Sequence, residues 1–162
     1  VITSSELAGF FAAHAIWSVS DGDTLIPMLA YTNENDERQV ERLAHDELAA
    51  AVQAGKQKLA SNEMDANDAA LIYEGFVTID DEQLDSIIVE FRAYVSPDSE
   101  AVLAVPYTPS SSGRFRVHKP KLIAWNNCDD FDLDTALQSF FNGVAAHEKG
   151  AAIWEQALDE SK

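Results

Sequence analysis

Arg114, Arg116 and His118 alternate along a segment of strand-like composition, and this is the first place in the chain where chemistry could sit. Alternate residues of a strand share a face, so the three side chains would project together while Phe115 and Val117 point the other way. Two guanidinium forks beside an imidazole suit a phosphate or a carboxylate, with the histidine as a proton-dependent third donor. The setting sharpens the contrast. From Ala101 to Cys128 the chain carries four bases, Arg114, Arg116, Lys119 and Lys121, and no acid, within a formal net charge of -17. Such a strip either neutralises its own neighbours or receives an anion. Pairing with Glu74, Glu90 or the acidic connectors is the simpler expectation. If a small-molecule site exists, it is expected on the Arg114, Arg116 and His118 face, with Arg92 beside it.

Glu90 and His118 are the candidate acid–base groups. Glu74, Glu90, Arg92, Arg116 and His118 agree in strand parity and would gather on one sheet face. General acid–base catalysis needs such groups within hydrogen-bond reach and with shifted pKa values. An ion-pair network needs only proximity, and is the reading preferred here.

Other constellations read as structure. Asp21-Gly22-Asp23 is too short for a calcium loop, and the aspartates at 129, 130, 132 and 134 precede a helix that they can cap. His14, His45, His118 and His147 are scattered, no pair has the i, i+4 spacing of a helical zinc site, and Cys128 is alone. No metal and no cofactor are expected. His14 falls with Phe10, Phe11 and Trp17 at helical spacing and reads as a core histidine, while His45 and His147 read as surface residues on long helices. Asp129 and Asp130 beside Cys128 disfavour a thiolate nucleophile there. The serines at 110–112 lack a nucleophile elbow, and no glycine-rich phosphate loop exists.

These residues need elements to hold them. Thr3, with Glu6 three positions later, caps a helix through Leu7, Phe10, Phe11 and His14. Ile16 to Ser20 and Thr24 to Tyr31 read as a β-hairpin around Asp21-Gly22, with Pro27 placing the second strand at an edge or bulge. A helix is expected from Glu37 to Ala60, where Val40, Leu43, Ala44, Leu48, Ala51, Val52 and Leu59 form one apolar stripe. Ala70–Ile79 and Ile87–Val95 read as strands joined by an acidic turn, Asp80 to Asp85, with the odd positions facing the core. Pairing preferences set Glu74 opposite Arg92 and Val77 opposite Val89. The opposite face, with Ile72, Phe76, Ile88 and Tyr94, is too apolar to be left bare. Ala101–Tyr107 and Phe115–Trp125 add two strands. A last helix, capped by Asp132 or Asp134, runs to about residue 159, weakened or bent at Gly143 and Gly150. Trp17, Trp125 and Trp154 all continue apolar patterns and are expected to be mostly buried.

The fold class that follows is α+β, as a single domain over residues 1–162. An antiparallel sheet, mainly residues 70–125 plus the 16–31 hairpin, is packed by two long helices and a short N-terminal one. An apolar content of 46% and three tryptophans oppose disorder despite the charge. A pI near 4.3 opposes nucleic acid and anionic membranes as partners. No window approaches the ~20 apolar residues of a membrane helix. The start at Val1 shows no secretory leader, and a lone cysteine fits a cytoplasmic location. The function expected is a non-catalytic, cytoplasmic protein-binding or regulatory domain, with an unknown protein partner or self-association through the outer sheet face as a homodimer. One alternative is an acidic inhibitor of the immunity type, occupying a basic site on another protein. The other is a small enzyme or anion-binding protein using the Arg116 and His118 face.

Overall fold

Ser4–Ser20 is apolar on nearly every side, with Leu7, Ala8, Phe11, Ala12, Ala13, Ala15, Ile16 and Val19 all buried. A helix of that kind needs cover all round. In the computed structural model, which describes residues 3–162, this helix (α1) lies between a sheet and two C-terminal helices. Val1, where the leader expectation begins, lies outside the described residues. Thr3 caps α1 by accepting from the Glu6 N–H at 3.2 Å.

The hairpin expected over residues 16–31 does not form. Ile16 to Ser20 are the last turns of α1, and Asp21-Gly22 ends the helix instead of turning a hairpin, with φ +84 at Gly22. The same positive φ serves both purposes, and burial of Ile16 and Val19 decides between them. The hairpin comes one segment later, between β1 (Met28–Thr32) and β2 (Arg38–Arg42), with Thr32 opposite Arg38. Asn33 closes its loop by accepting from the backbone N–H groups of Asn35 and Glu37. The helix expected from Glu37 therefore starts only at Leu48, as α2 (Leu48–Ser61). Val40 and Leu43 fit a helical stripe and a strand equally well, and pairing with β1 takes them.

β3 (Asp68–Ile79) and β4 (Glu82–Ala93) form the longest pair. Their turn is tighter than expected, with only Asp80 and Asp81 between them, at φ +51 and +66. Two positive φ angles define the turn that suits strand twist, and such a loop dictates register. Ile79 consequently faces Glu82, Glu74 faces Ile87, and Arg92 faces Ala69. The expected opposition of Glu74 and Arg92 is thus corrected. Parity changes with it: Ala70 and Ile72 of β3 join Ile87, Val89 and Phe91 of β4 against α1, while Leu71 turns to the other face. The odd positions face the main core in β4 but not in β3. That other face is partly covered, although of the residues expected on it Ile72 lies in the main core and Phe76 is exposed. Ala51 and Leu59 of α2 pack there with Leu43 and Leu71, and Tyr94 donates from its hydroxyl to the Leu59 carbonyl at 2.6 Å.

β5 (Glu100–Thr108) follows, and the single strand expected over residues 115–125 is two, β6 (Arg116–Val117) and β7 (Lys121–Asn126), interrupted at Lys119-Pro120. Both pair with β5, giving an antiparallel sheet ordered β2-β1-β3-β4-β5-β6 with β7 also on β5. The C-terminal helix is likewise two, α3 (Leu133–Ala146) and α4 (Glu148–Ala157), broken at His147. Gly143 and Gly150 do not bend it. They let the backbones of α3 and α4 touch α1. A Cβ on Gly143 would stand 1.9 Å from the Glu6 carbonyl oxygen, and one on Gly150 would stand 2.4 Å from that of Ala13. Trp154 is buried, whereas Trp17 and Trp125 are only half-buried. No described helix is long and apolar enough to cross a membrane. The architecture is α+β, a single curled sheet with α1, α3 and α4 on one face and α2 on part of the other.

Candidate ligand-binding site

Among the described residues one base of the island, Arg116, has an ion-pair partner, and it is neither Glu74 nor Glu90. Phe115 and Val117 do pack into the core. Asp159, just past α4, reaches Arg116, Nη1 to Oδ2 at 3.6 Å. It also holds His118. A carbonyl oxygen only accepts, so His118 Nδ1 donates to the Asp159 carbonyl at 3.1 Å, and in the neutral ring Nε2 then accepts from the Thr108 hydroxyl at 3.0 Å. His118 is fully buried, and its ring ties the C-terminal segment at Asp159 to Thr108 at the end of β5. Arg114 lies outside β6 and is exposed, whereas His118 is buried. Arg92 lies on β4 and donates to the Phe91 carbonyl.

The five-residue cluster does not assemble either. Glu74 accepts from the Leu25 N–H at 2.6 Å. Glu90 lies on the α2 side, where it accepts from the Tyr73 hydroxyl at 2.5 Å and meets Lys56 at 3.3 Å. Burial, and then the Glu90 carboxylate, push the Tyr73 phenol well above its usual range. Glu90 and His118, the two acid–base candidates, are separated by β5 and do not meet. Among the described residues no three His, Cys, Asp or Glu side chains are placed to hold a metal ion.

A cavity of about 470 Å³ opens elsewhere, at the end of the sheet where β3 starts, β4 ends and both α1 and α3 begin. Its floor is apolar and aromatic: Phe91, Ala101, Trp125 and Phe131 line it, with Val95 at 86% exposure on the rim. The volume falls within the range of sites that enclose small organic molecules. Two helix N-termini present their partial positive charge here, and the chain's own groups absorb it. Thr3 caps α1, while Asp132 caps α3, accepting from the Thr135 N–H at 3.0 Å and from its hydroxyl at 2.6 Å.

One carboxyl group in this cavity behaves unusually. Asp68, the first residue of β3, is half-buried, and burial raises its pKa to about 6. Asp36 nearby adds to the rise, and a hydrogen bond from the Ser4 backbone opposes it. None of the described residues lining the cavity is a Lys, Arg or His. The chemistry on offer is an apolar slot ending on a carboxyl group that changes charge near neutral pH. Asp68 carries no signal in the sequence, and only the start of β3 beneath α1 gives it this environment. Compared with family models, with curated proteins and with solved structures, the chain matches none.

Proposed function

We propose that this protein is a non-catalytic binding or regulatory domain whose cavity beneath α1 and α3 holds an organic ammonium ion with an apolar, ring-sized body. The observation that carries this reading is the pairing of an aromatic floor with a half-buried carboxyl group in a cavity lined by no cation among the described residues. Phe91, Trp125 and Phe131 supply apolar area and ring faces, which attract cations as well as rings. Asp68 supplies the charge and the hydrogen-bond acceptor that fix orientation. An anionic ligand would meet Asp68, Asp130 and Asp132 without a compensating base. Glu90 and His118 are occupied by internal partners, which favours binding over acid–base catalysis.

Calorimetric titration with phenethylammonium, the matching alcohol and the matching carboxylate tests the reading. The ammonium ion should bind best and the carboxylate worst. Affinity for the ammonium ion should rise between about pH 5 and about pH 7.5, because Asp68 ionises on passing about 6. Asp68→Asn should lower affinity about tenfold and flatten that pH profile. Preference for the carboxylate, or indifference to Asp68→Asn, would refute it.

A further inference from the structure

A second group of side chains, away from that cavity, is built around two histidines. His14 projects from α1, and His147 stands at the break between α3 and α4, half-buried rather than on the surface as its helical context implied. The Gly150 N–H donates to His147 Nδ1 at 2.9 Å, so His147 also serves as the cap of α4. With Nδ1 accepting, the neutral His147 ring carries its proton on Nε2, 3.0 Å from His14 Nδ1. His14 then carries its own proton on Nε2. The result is a one-directional chain of donors, from a backbone amide through His147 to His14. Its terminal donor, Nε2–H of His14, makes no hydrogen bond among the described residues.

Fixed cations surround the pair. The Arg38 guanidinium sits 4.0 Å above the Phe10 ring, and the Lys149 ammonium 4.9 Å above the Trp17 ring. Burial, then His147 and Arg42, hold His14 below the usual histidine range; burial, with Arg38 and Lys149, does the same for His147. His14 and Arg42 line a cavity of about 130 Å³ together with the hydroxyl-bearing Ser18 and Thr24. Asp23, exposed on the same wall, is the competing internal anion, and Arg42 makes no ion pair with it or with any other described residue. The volume corresponds to roughly four water molecules, the scale of one oxyanion group and too small for the ligand of the larger cavity.

We propose that the cavity between His14 and Arg42 binds a small oxyanion, the phosphate or carboxylate group of a solute, through the Arg42 guanidinium and the Nε2–H of His14. The chemistry resembles that expected of the Arg114, Arg116 and His118 strip, assembled instead from α1 and β2. Arg42 supplies charge and paired donors, the His147–His14 chain supplies an oriented N–H, and Thr24 supplies a further hydroxyl, while the Ser18 hydroxyl donates to the His14 carbonyl at 3.1 Å. Protonation of His14 at Nδ1 would set two N–H groups against each other across the contact with His147, so the neutral ring binds the anion and binding near pH 7 should draw in no proton.

Calorimetry of the full chain with inorganic phosphate and with acetate, each in two buffers of different ionisation enthalpy, provides the test. The expected result is saturable binding of at least one anion without proton uptake, together with a shift of the His14 ring-nitrogen resonance. Stronger binding of phosphate assigns a phosphate group, and stronger binding of acetate a carboxylate. Arg42→Met should weaken binding about tenfold or more, Arg42→Lys less so, and the remote Arg114→Ala not at all. Arg42→Lys keeps the charge, so it controls for any loss of fold in Arg42→Met. Failure of both anions to bind at millimolar concentration, or equal losses in Arg42→Met and Arg114→Ala, would overturn the assignment. The Asp68→Asn variant separates the two sites, because it should leave oxyanion binding unchanged.

Discussion

Asp68 carries a cost that a purely structural residue would not. Its pKa in the folded protein, about 6, lies above its ordinary value of 3.8, so the native state holds a proton that the unfolded chain has released. Stability from this group is therefore complete below about pH 4 and is lost as pH rises through about 6. Asp68→Asn should stabilise the protein by about 1 kcal/mol at about pH 7.5, a figure already reduced for partial solvent access, and by almost nothing at about pH 4. Urea unfolding at the two pH values checks this, and equal effects at both would remove the carboxyl's special environment. A group that destabilises the resting protein at neutral pH is the kind retained for a ligand.

The glycines act at the scale of whole elements. Helix propensity alone says that Gly143→Ala should stabilise α3 by about 1 kcal/mol. The packing says the reverse, since the added Cβ would stand 1.9 Å from the Glu6 carbonyl oxygen and 2.8 Å from the Phe10 nitrogen. Both are backbone atoms, which cannot step aside as a flexible side chain can. Gly9 mirrors the arrangement from α1, where a Cβ would lie 1.8 Å from the Phe140 carbonyl oxygen. Gly143→Ala should therefore cost about 3 kcal/mol or more, whereas Ala145→Gly on the exposed side of α3 should cost about 1 kcal/mol. Chemical denaturation distinguishes the two, and a stabilised Gly143→Ala protein would show that α1 and α3 do not touch. The starts of the same two helices line the larger cavity.

Across the whole molecule the charge is distributed so that its few bases sit in defined company. Arg116 meets Asp159, Lys56 meets Glu90, Lys58 meets Glu41 and Lys162 meets Glu82. Arg114 and Lys119 are exposed and enter no ion pair among the described residues, in a chain of net charge -17. Nucleic-acid binding draws its affinity from several clustered phosphate contacts, which a net charge of -17 opposes. We accordingly expect no retardation of duplex DNA at physiological salt. A salt-sensitive shift that disappeared with Arg114→Ala and Lys119→Ala would contradict this distribution. Excess negative charge also bears on the proposed ammonium ligand, since long-range attraction favours its encounter.

What the sequence by itself determined is whatever depends on neighbours along the chain. Thr3 and Asp132 cap the helices they precede, β3 and β4 carry β-branched and aromatic residues, β5 lies where it is expected, and an acidic turn joins β3 to β4. Each of these rests on local sterics or a hydrogen bond spanning a few residues. Only the tertiary structure decided the rest. Ile16 to Ser20 could be strand or helix until the sheet and the C-terminal helices enclosed α1, and Val40 until β1 offered a partner. A one-residue change in strand register exchanges the two faces of a sheet. The turn at Asp80 and Asp81 therefore decided which carboxylates and guanidinium groups could meet, and it separated Glu74 from Arg92. Asp68, His14, Arg42 and His147 are far apart in sequence and carry no motif. Their chemistry arises from burial and proximity, which exist only once the chain has folded.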